Sequence, residues 1–119
     1  MKTILVVEDE FGLAEGLLAV LSEEGYRPVL ARDGKQGLDR FREDLPDLLL
    51  VDFMMPVMNG AEMIREIRKD PAHKDLPIIL MSAAHEAILR RYYDGYNAYL
   101  KKPFETADLL ALIRSLLPA

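Results

Sequence analysis

The chain contains no cysteine, which excludes disulfides and thiolate metal sites and says little about compartment. It has no basic stripe. Against 15 Lys and Arg stand 20 Asp and Glu, a formal net charge of -5, so direct nucleic-acid binding by this domain is not expected, while a basic partner stays open. It has no long apolar run either: the stretch from Ile4 to Val7 stops at Glu8, too short for a signal peptide or a membrane span. A soluble cytoplasmic protein without membrane association is the expectation. Nor does a glycine-rich phosphate loop follow that first apolar run.

What is present is enough for one core. With 119 residues, half of them apolar, residues 1–119 read as a single domain and a compact globule. The organising stretch is 47–60, DLLLVDFMMPVMNG. Four apolar residues, Leu48 to Val51, run into Asp52, and Pro56 and Gly60 follow. A short apolar run bounded by turn residues suits a strand buried on both faces. Asp52 then stands where the strand leaves the sheet, which is where ligand sites open in parallel α/β sheets.

The other segments fit around that strand. Ile4-Leu5-Val6-Val7 is a second buried run, ending in Glu8-Asp9-Glu10. Ala14, Leu17, Leu18 and Leu21 mark one face of a helix that Gly25 closes. A weaker strand over 27–31 leads to a helix from about Gly34, with Leu38 and Phe41 inward, which Pro46 stops. Gly60, Met63, Ile64 and Ile67 mark a third helix, and the polar loop from Asp70 to Pro77 is punctuation. Ile78 to Met81 is another buried strand, ending at Ser82, and a helix with a poorer stripe is expected from about Ala84 to Asp94. Ala98-Tyr99-Leu100 is a short last strand before Lys101-Lys102-Pro103; Leu109, Leu112, Ile113 and Leu116 give the final helix. Strict alternation of this kind predicts an α/β fold, a flavodoxin-like doubly wound (βα)5 unit. Its five-stranded parallel sheet takes the strand order 2-1-3-4-5.

That order makes the first and third strands neighbours and sets Glu8 and Asp9 beside Asp52. The fourth strand end delivers the Ser82 hydroxyl and the fifth delivers cations. Two like charges about 4 Å apart repel by roughly 4 kcal/mol at an effective dielectric of about 20, so the acids need a neutralising partner. With only oxygen ligands and no His or Cys at these ends, Mg²⁺ or Mn²⁺ suits the site better than Zn²⁺. Such a cation leaves room for phosphate oxygens, Ser82 can donate to them, and the adjacent lysine offers a point charge. One carboxylate is then the nucleophile, attacking in line to give an acyl phosphate. Asp52 is preferred as a single acid on the central strand, whereas Glu8 and Asp9 are a pair suited to holding metal.

Four blocks of the chain resemble the signature blocks of the receiver domain of two-component response regulators. They are Ile4 to Asp9, Asp52-x-x-x-Pro56 through Gly60, Ser82-Ala83, and Tyr99-Leu100-Lys101-Lys102-Pro103-Phe104. The match runs in order over essentially the whole chain, and the 2-1-3-4-5 strand order is itself one that receivers share. The resemblance implies that Asp52 is the phosphoacceptor, served by the phosphohistidine of a sensor histidine kinase or a histidine phosphotransfer protein. It implies that Asp9, Asp52 and the backbone carbonyl of Met54 bind Mg²⁺, with Glu8 acting mainly through water. Lys102 would pair with the phosphoryl group, and its bond to Pro103 would be cis. Ser82 and Tyr99 would be a switch pair, the hydroxyl moving to the phosphoryl oxygens and the ring following inward. The surface of the fourth helix, fifth strand and fifth helix would then report the state to a downstream protein or a fused effector, and a dimer formed on phosphorylation is compatible with it.

Taken singly, these residues have plainer readings. An Asp at a strand end often caps a helix; Glu10 is read as favouring a helix N-terminus, Lys101 as solvated, and His73 and His85 as surface residues with no partner that suggests metal binding or catalysis. Met55 and Met58 read as packing and loop residues. One region departs from the receiver pattern: many receivers carry Gly-Ala and two acids where this chain has Gly95-Tyr96-Asn97-Ala98, after Arg90, Arg91, Tyr92 and Tyr93. Ordinary packing and a partner-binding surface are both open there. The expected role is a phosphorylation-controlled switch, not a metabolic enzyme, with catalysis confined to phosphoryl transfer to itself and loss of that group. One alternative is a flavodoxin-like module for a nucleotide or flavin, which the clustered acids disfavour. Another is an Mg²⁺-dependent phosphatase with an aspartyl nucleophile, which usually needs a second acid where Met54 stands.

Overall fold

In a computed structural model of the protein, describing residues 1–91 and 94–118, the five apolar runs become the strands of one parallel sheet. They are β1 (Thr3–Val7), β2 (Arg27–Ala31), β3 (Leu48–Asp52), β4 (Ile78–Ser82) and β5 (Ala98–Lys101), in the order β2-β1-β3-β4-β5. They alternate with α1 (Phe11–Glu23), α2 (Gly34–Asp44), α3 (Gly60–Arg68), α4 (Glu86–Leu89) and α5 (Thr106–Leu116). The doubly wound α/β arrangement expected from the alternation is therefore the observed one. β3 takes the centre because Leu48, Leu49, Leu50 and Val51 are all fully buried, leaving it no face to offer water.

Alternate strand residues face two separate cores. Leu5, Val7, Leu49, Val51 and Leu80 pack with Phe41 of α2 and Met63, Ile64 and Ile67 of α3. Ile4, Val6, Leu48, Leu50, Ile79 and Met81 pack on the other side with Leu17 and Leu21 of α1 and Leu109, Leu110 and Ile113 of α5. Each such side chain taken from water contributes about 1.5–3 kcal/mol, and these two layers hold the sheet edge rigid beneath the polar residues at its rim.

Helix ends follow local chemistry. Glu10 caps α1, accepting from the amides of Gly12 and Leu13 at 3.0 and 2.6 Å, in line with its reading as an N-terminal acid. Gly25, with φ 88, ends the turn after that helix. α2 stops at Asp44 because Leu45 adopts the left-handed conformation, φ 42, so the break precedes Pro46. Asn59 and Glu62 close a reciprocal capping box at the start of α3. This fixes where the chain turns away from Asp52.

Two expectations need correction. The fourth helix does not reach Asp94 but ends at Leu89: only Leu89 is buried and His85 supplies no side-chain cap, so little holds further turns. Tyr92 and Tyr93 lie outside the described residues. The loop after α3 contains a short 3₁₀ turn, Pro71–His73, capped by the Asp70 side chain. The half-buried His73 ring packs against Phe41 edge-on, with centroids 4.8 Å apart. Among the described residues no helix is long and apolar enough to cross a membrane.

Candidate functional site

Strand register assembles the site. Val7 pairs with Val51, so Glu8 leaves β1 beside Asp52 at the end of β3. Asp52 pairs with Met81, the residue before Ser82, and Ser82 pairs with Lys101, the residue before Lys102. The Lys102 amide donates to the Ser82 carbonyl at 2.8 Å, and the Lys102–Pro103 peptide bond is cis. Buried polar side chains are rare without a purpose. Among the described residues they are Glu8, Asp52 and Ser82, and all three lie at this one rim.

Lys102 is the internal counter-ion. Its ammonium lies 2.8 Å from Glu8 Oε1 and 3.0 Å from Asp52 Oδ1. Burial pulls the lysine pKa down, but the bonds to Glu8 and Asp52 outweigh it and hold the ammonium above its ordinary value. Burial pushes the Asp52 carboxyl up to about 6; the Lys102 bond opposes that, and the charges of Glu8 and Asp9 reinforce it. An acid shifted this way by desolvation and like charges marks a functional site more often than a structural one.

Asp9 is exposed, yet Glu8, Asp9 and Asp52 each offer a carboxylate oxygen, and these oxygens lie within 4.8 Å of one another. Three hard oxygen donors with no nitrogen or sulfur ligand fit an Mg²⁺-class cation. Met54 follows two residues after Asp52 with its side chain turned to solvent, 69% exposed.

Ser82 and Tyr99 meet as well. The Ser82 hydroxyl oxygen accepts from the Ala84 amide at 3.0 Å, which leaves its own proton for another acceptor. The Tyr99 hydroxyl donates to the Ser82 carbonyl at 3.2 Å and to the Ala84 carbonyl, so the ring is half-buried and turned toward the β4–α4 segment. Lys101 is exposed, as its plain reading had it.

Several residues around the rim carried no sequence signal for their part. Gly60 reads in the sequence as a turn residue and the first of the packed positions of α3, but a Cβ there would stand 2.5 Å from the Asp52 carbonyl oxygen, so the close return of the chain over Asp52 requires glycine. Arg68 braces the far end of the same layer, donating to the carbonyls of His73 at 2.7 Å and Gly95 at 3.0 Å. Tyr96 donates to Glu86 Oε2 at 2.9 Å; neither residue stood out as half of a pair.

A doubly wound sheet with acids from two adjacent strands and a lysine after the fifth defines a signalling receiver. The chain belongs to the response regulator receiver domain family, whose model matches residues 4–114. Among curated proteins it is 32% identical over 118 residues to the phosphate regulon transcriptional regulatory protein PhoB of Escherichia coli (strain K12), covering 98% of this chain and 52% of that protein. The chain thus spans about half the length of the curated relatives it matches. Among solved structures, the response regulator TrrA from Thermotoga maritima in complex with Mg²⁺-BeF is 36% identical, covering 98% of this chain and 100% of that one, with a TM-score of 0.89. The receiver domain of a sensor histidine kinase from Pseudomonas aeruginosa PAO1, with a magnesium ion coordinated in its active-site cleft, is 32% identical, covering 99% of this chain and 98% of that one, with a TM-score of 0.90.

Proposed function

We propose that residues 1–119 act as one phosphoacceptor switch in which Asp52 takes a phosphoryl group from a phosphohistidine on a sensor histidine kinase or histidine phosphotransfer protein. The observation that carries this reading is Lys102, bonded at once to Glu8 and Asp52 beside the oxygen cluster completed by Asp9. An Asp52 oxygen attacks phosphorus in line; the new O–P bond forms as the N–P bond to the donor imidazole breaks, and the electron pair leaves with the imidazole nitrogen. The Lys102 ammonium then turns from Asp52 to a phosphoryl oxygen, and the Ser82 hydroxyl donates to another. Asp9, Asp52 and the Met54 carbonyl would hold Mg²⁺, with Glu8 reaching it through water; when bound, the ion supplies positive charge against the carboxylates and the incoming phosphoryl oxygens. Mg²⁺ is favoured over Mn²⁺ by the magnesium in the two relatives' structures.

The donor has a way in. An open groove of about 470 Å³, lined by Glu10, Leu13, Ala83, Lys102, Pro103 and Phe104, adjoins the rim. Tyr99 follows Ser82 inward, and the face of α4, β5 and α5 passes the state to a downstream protein or a fused effector. The chain works in the cytoplasm, and its catalysis is limited to acquiring and losing its own phosphoryl group.

Acetyl phosphate with Mg²⁺ is expected to add one phosphoryl group by intact mass, and Asp52→Asn to abolish the addition. Undiminished labelling of Asp52→Asn would falsify the assignment. Sustained turnover of phosphomonoesters would point to a phosphatase, and a yellow chromophore in the purified protein to a flavin-binding module.

A further inference from the structure

The segment joining β4 to α4 carries Ser82 and is held from β5 by two tyrosines. Tyr99 donates its hydroxyl to the carbonyls of Ser82, at 3.2 Å, and Ala84. Just before β5, Tyr96 donates its hydroxyl to Glu86 Oε2 at 2.9 Å. Arg90 ion-pairs with the same oxygen at 3.0 Å, and its guanidinium carbon sits 6.0 Å from the Tyr96 ring centroid. The two tyrosine rings are neighbours, 6.4 Å between centroids, and both pack against the core layer that α2 and α3 share.

This arrangement matters because α4 is poorly anchored. It spans four residues, buries only Leu89 and has no side-chain cap from His85. Among the described hydrogen bonds, the Glu86 side chain accepts from Arg90, which directly follows α4, and from the Tyr96 hydroxyl, which ties it to the segment entering β5. Burial, and then the Glu86 carboxylate, push the Tyr96 hydroxyl up to about 12, so it stays a donor at physiological pH. A glycine or alanine at position 96 would have no group to reach Glu86.

We propose that Tyr96 is a positioning residue for the reaction at Asp52: by bonding Glu86 it fixes the β4–α4 segment with Tyr99 already turned onto the Ser82 and Ala84 carbonyls. Ser82 then stands at the rim before a phosphoryl group arrives. The inference rests on the reading of Asp52 as phosphoacceptor and Ser82 as its hydroxyl contact. A reaction that needs one arrangement of a segment proceeds in proportion to the population of that arrangement. The net contribution of one hydrogen bond changes such a population by about two- to tenfold.

The test compares the wild-type chain with Tyr96→Phe, Glu86→Ala, Glu86→Gln and the combined Tyr96→Phe/Glu86→Ala variant. Labelling by acetyl phosphate with Mg²⁺ is expected to slow about two- to tenfold in Tyr96→Phe and Glu86→Ala. Glu86→Gln, which keeps an acceptor oxygen, stays near the wild-type rate, and the combined variant is no slower than the slower single variant. Mg²⁺ affinity is unchanged in all four. In the unphosphorylated proteins, the NMR signals of the Tyr99 ring shift in Tyr96→Phe, and the amides of Ile88 to Arg90 exchange faster. Wild-type labelling rates together with unmoved Tyr99 signals in Tyr96→Phe overturn the proposal. If the wild-type chain takes no label at Asp52, the phosphoacceptor reading fails instead, and the Tyr99 signals still decide whether Tyr96 holds the segment.

Discussion

Lys102 Nζ and Glu8 Oε1 lie 2.8 Å apart although 94 positions separate them in the chain. The same ammonium reaches Asp52 at 3.0 Å, so one cation serves two buried acids while Asp9 adds a third charge at the edge. Three carboxylates against one ammonium leave a deficit that a divalent ion balances. The charge pattern of the rim thus favours metal binding and, without metal, makes the folded state sensitive to any change in the cluster.

Removing the lysine is the most direct probe of that balance. Breaking a buried pair from one side costs about 3–5 kcal/mol; the Lys102 side chain is 22% exposed, so Lys102→Met is expected to destabilise the metal-free protein by roughly 2–4 kcal/mol at pH 7. Denaturant unfolding measures it. The loss shrinks toward pH 5, where Asp52 takes up a proton, and an equal loss at both pH values would mean that packing rather than charge is responsible.

Asp52→Asn moves stability the other way. The Asp52 carboxyl is raised from 3.8 to about 6 in the folded chain, so folding takes up a proton between those values, and stability falls as pH rises through them. In the absence of metal, Asp52→Asn is expected to be more stable than wild type by up to about 3 kcal/mol above pH 7. The advantage shrinks as pH falls from 6 toward 3.8 and disappears below about pH 3, where the wild-type carboxyl is neutral in both states. The difference between the two unfolding curves, followed against pH, checks both sign and window.

Mg²⁺ itself should stabilise. A ligand at a hundred times its Kd adds about 2.7 kcal/mol, which for a chain of this size raises Tm by roughly 10 °C. EDTA reverses the rise, and Asp9→Ala removes it without lowering the metal-free Tm, because Asp9 is exposed and its charge adds to the repulsion on Asp52. Differential scanning calorimetry with and without the ion reads each arm; a full Mg²⁺ response in Asp9→Ala would exclude Asp9 as a ligand.

Two substitutions in the loop over Asp52 should have opposite effects. Gly60→Ala puts a methyl group 2.5 Å from the Asp52 carbonyl oxygen, and overpacking of that kind costs about 1–3 kcal/mol; labelling at Asp52 slows with it. Val57 holds φ 71, a left-handed conformation that costs a side chain with a branched β-carbon about 1–2 kcal/mol. Because Val57 is 78% exposed, Val57→Asn forfeits little packing and is expected to gain roughly 0.5–1 kcal/mol. Thermal unfolding of both variants measures the pair.

Much of this architecture is legible in the sequence because burial dictates composition. Leu48 to Val51, bounded by turn residues, suited an inner strand, and Glu8, Asp52 and Ser82 were visible because each polar group interrupts or ends an apolar run. Lys102 could be separated from Lys101 by its place before Pro103, and the structure half-buries Lys102 and exposes Lys101. What escaped has a common cause. The Tyr96–Glu86 bond joins residues ten positions apart that share no periodic pattern, and Gly60 and Val57 are fixed by how closely the backbone doubles over Asp52. The stop of α4 at Leu89 reflects missing contacts, which an amphipathic pattern overestimates when basic and aromatic residues continue the helix propensity.

Because neighbouring strands meet in parallel register, no local piece of the chain contains a working site. A nascent polypeptide emerging from the ribosome has its acids by residue 52 but lacks the ammonium until residue 102 has docked on β4. The ammonium that neutralises Glu8 and Asp52 is therefore supplied only when the last strand has docked, and the acids of the rim stay uncompensated by it until then.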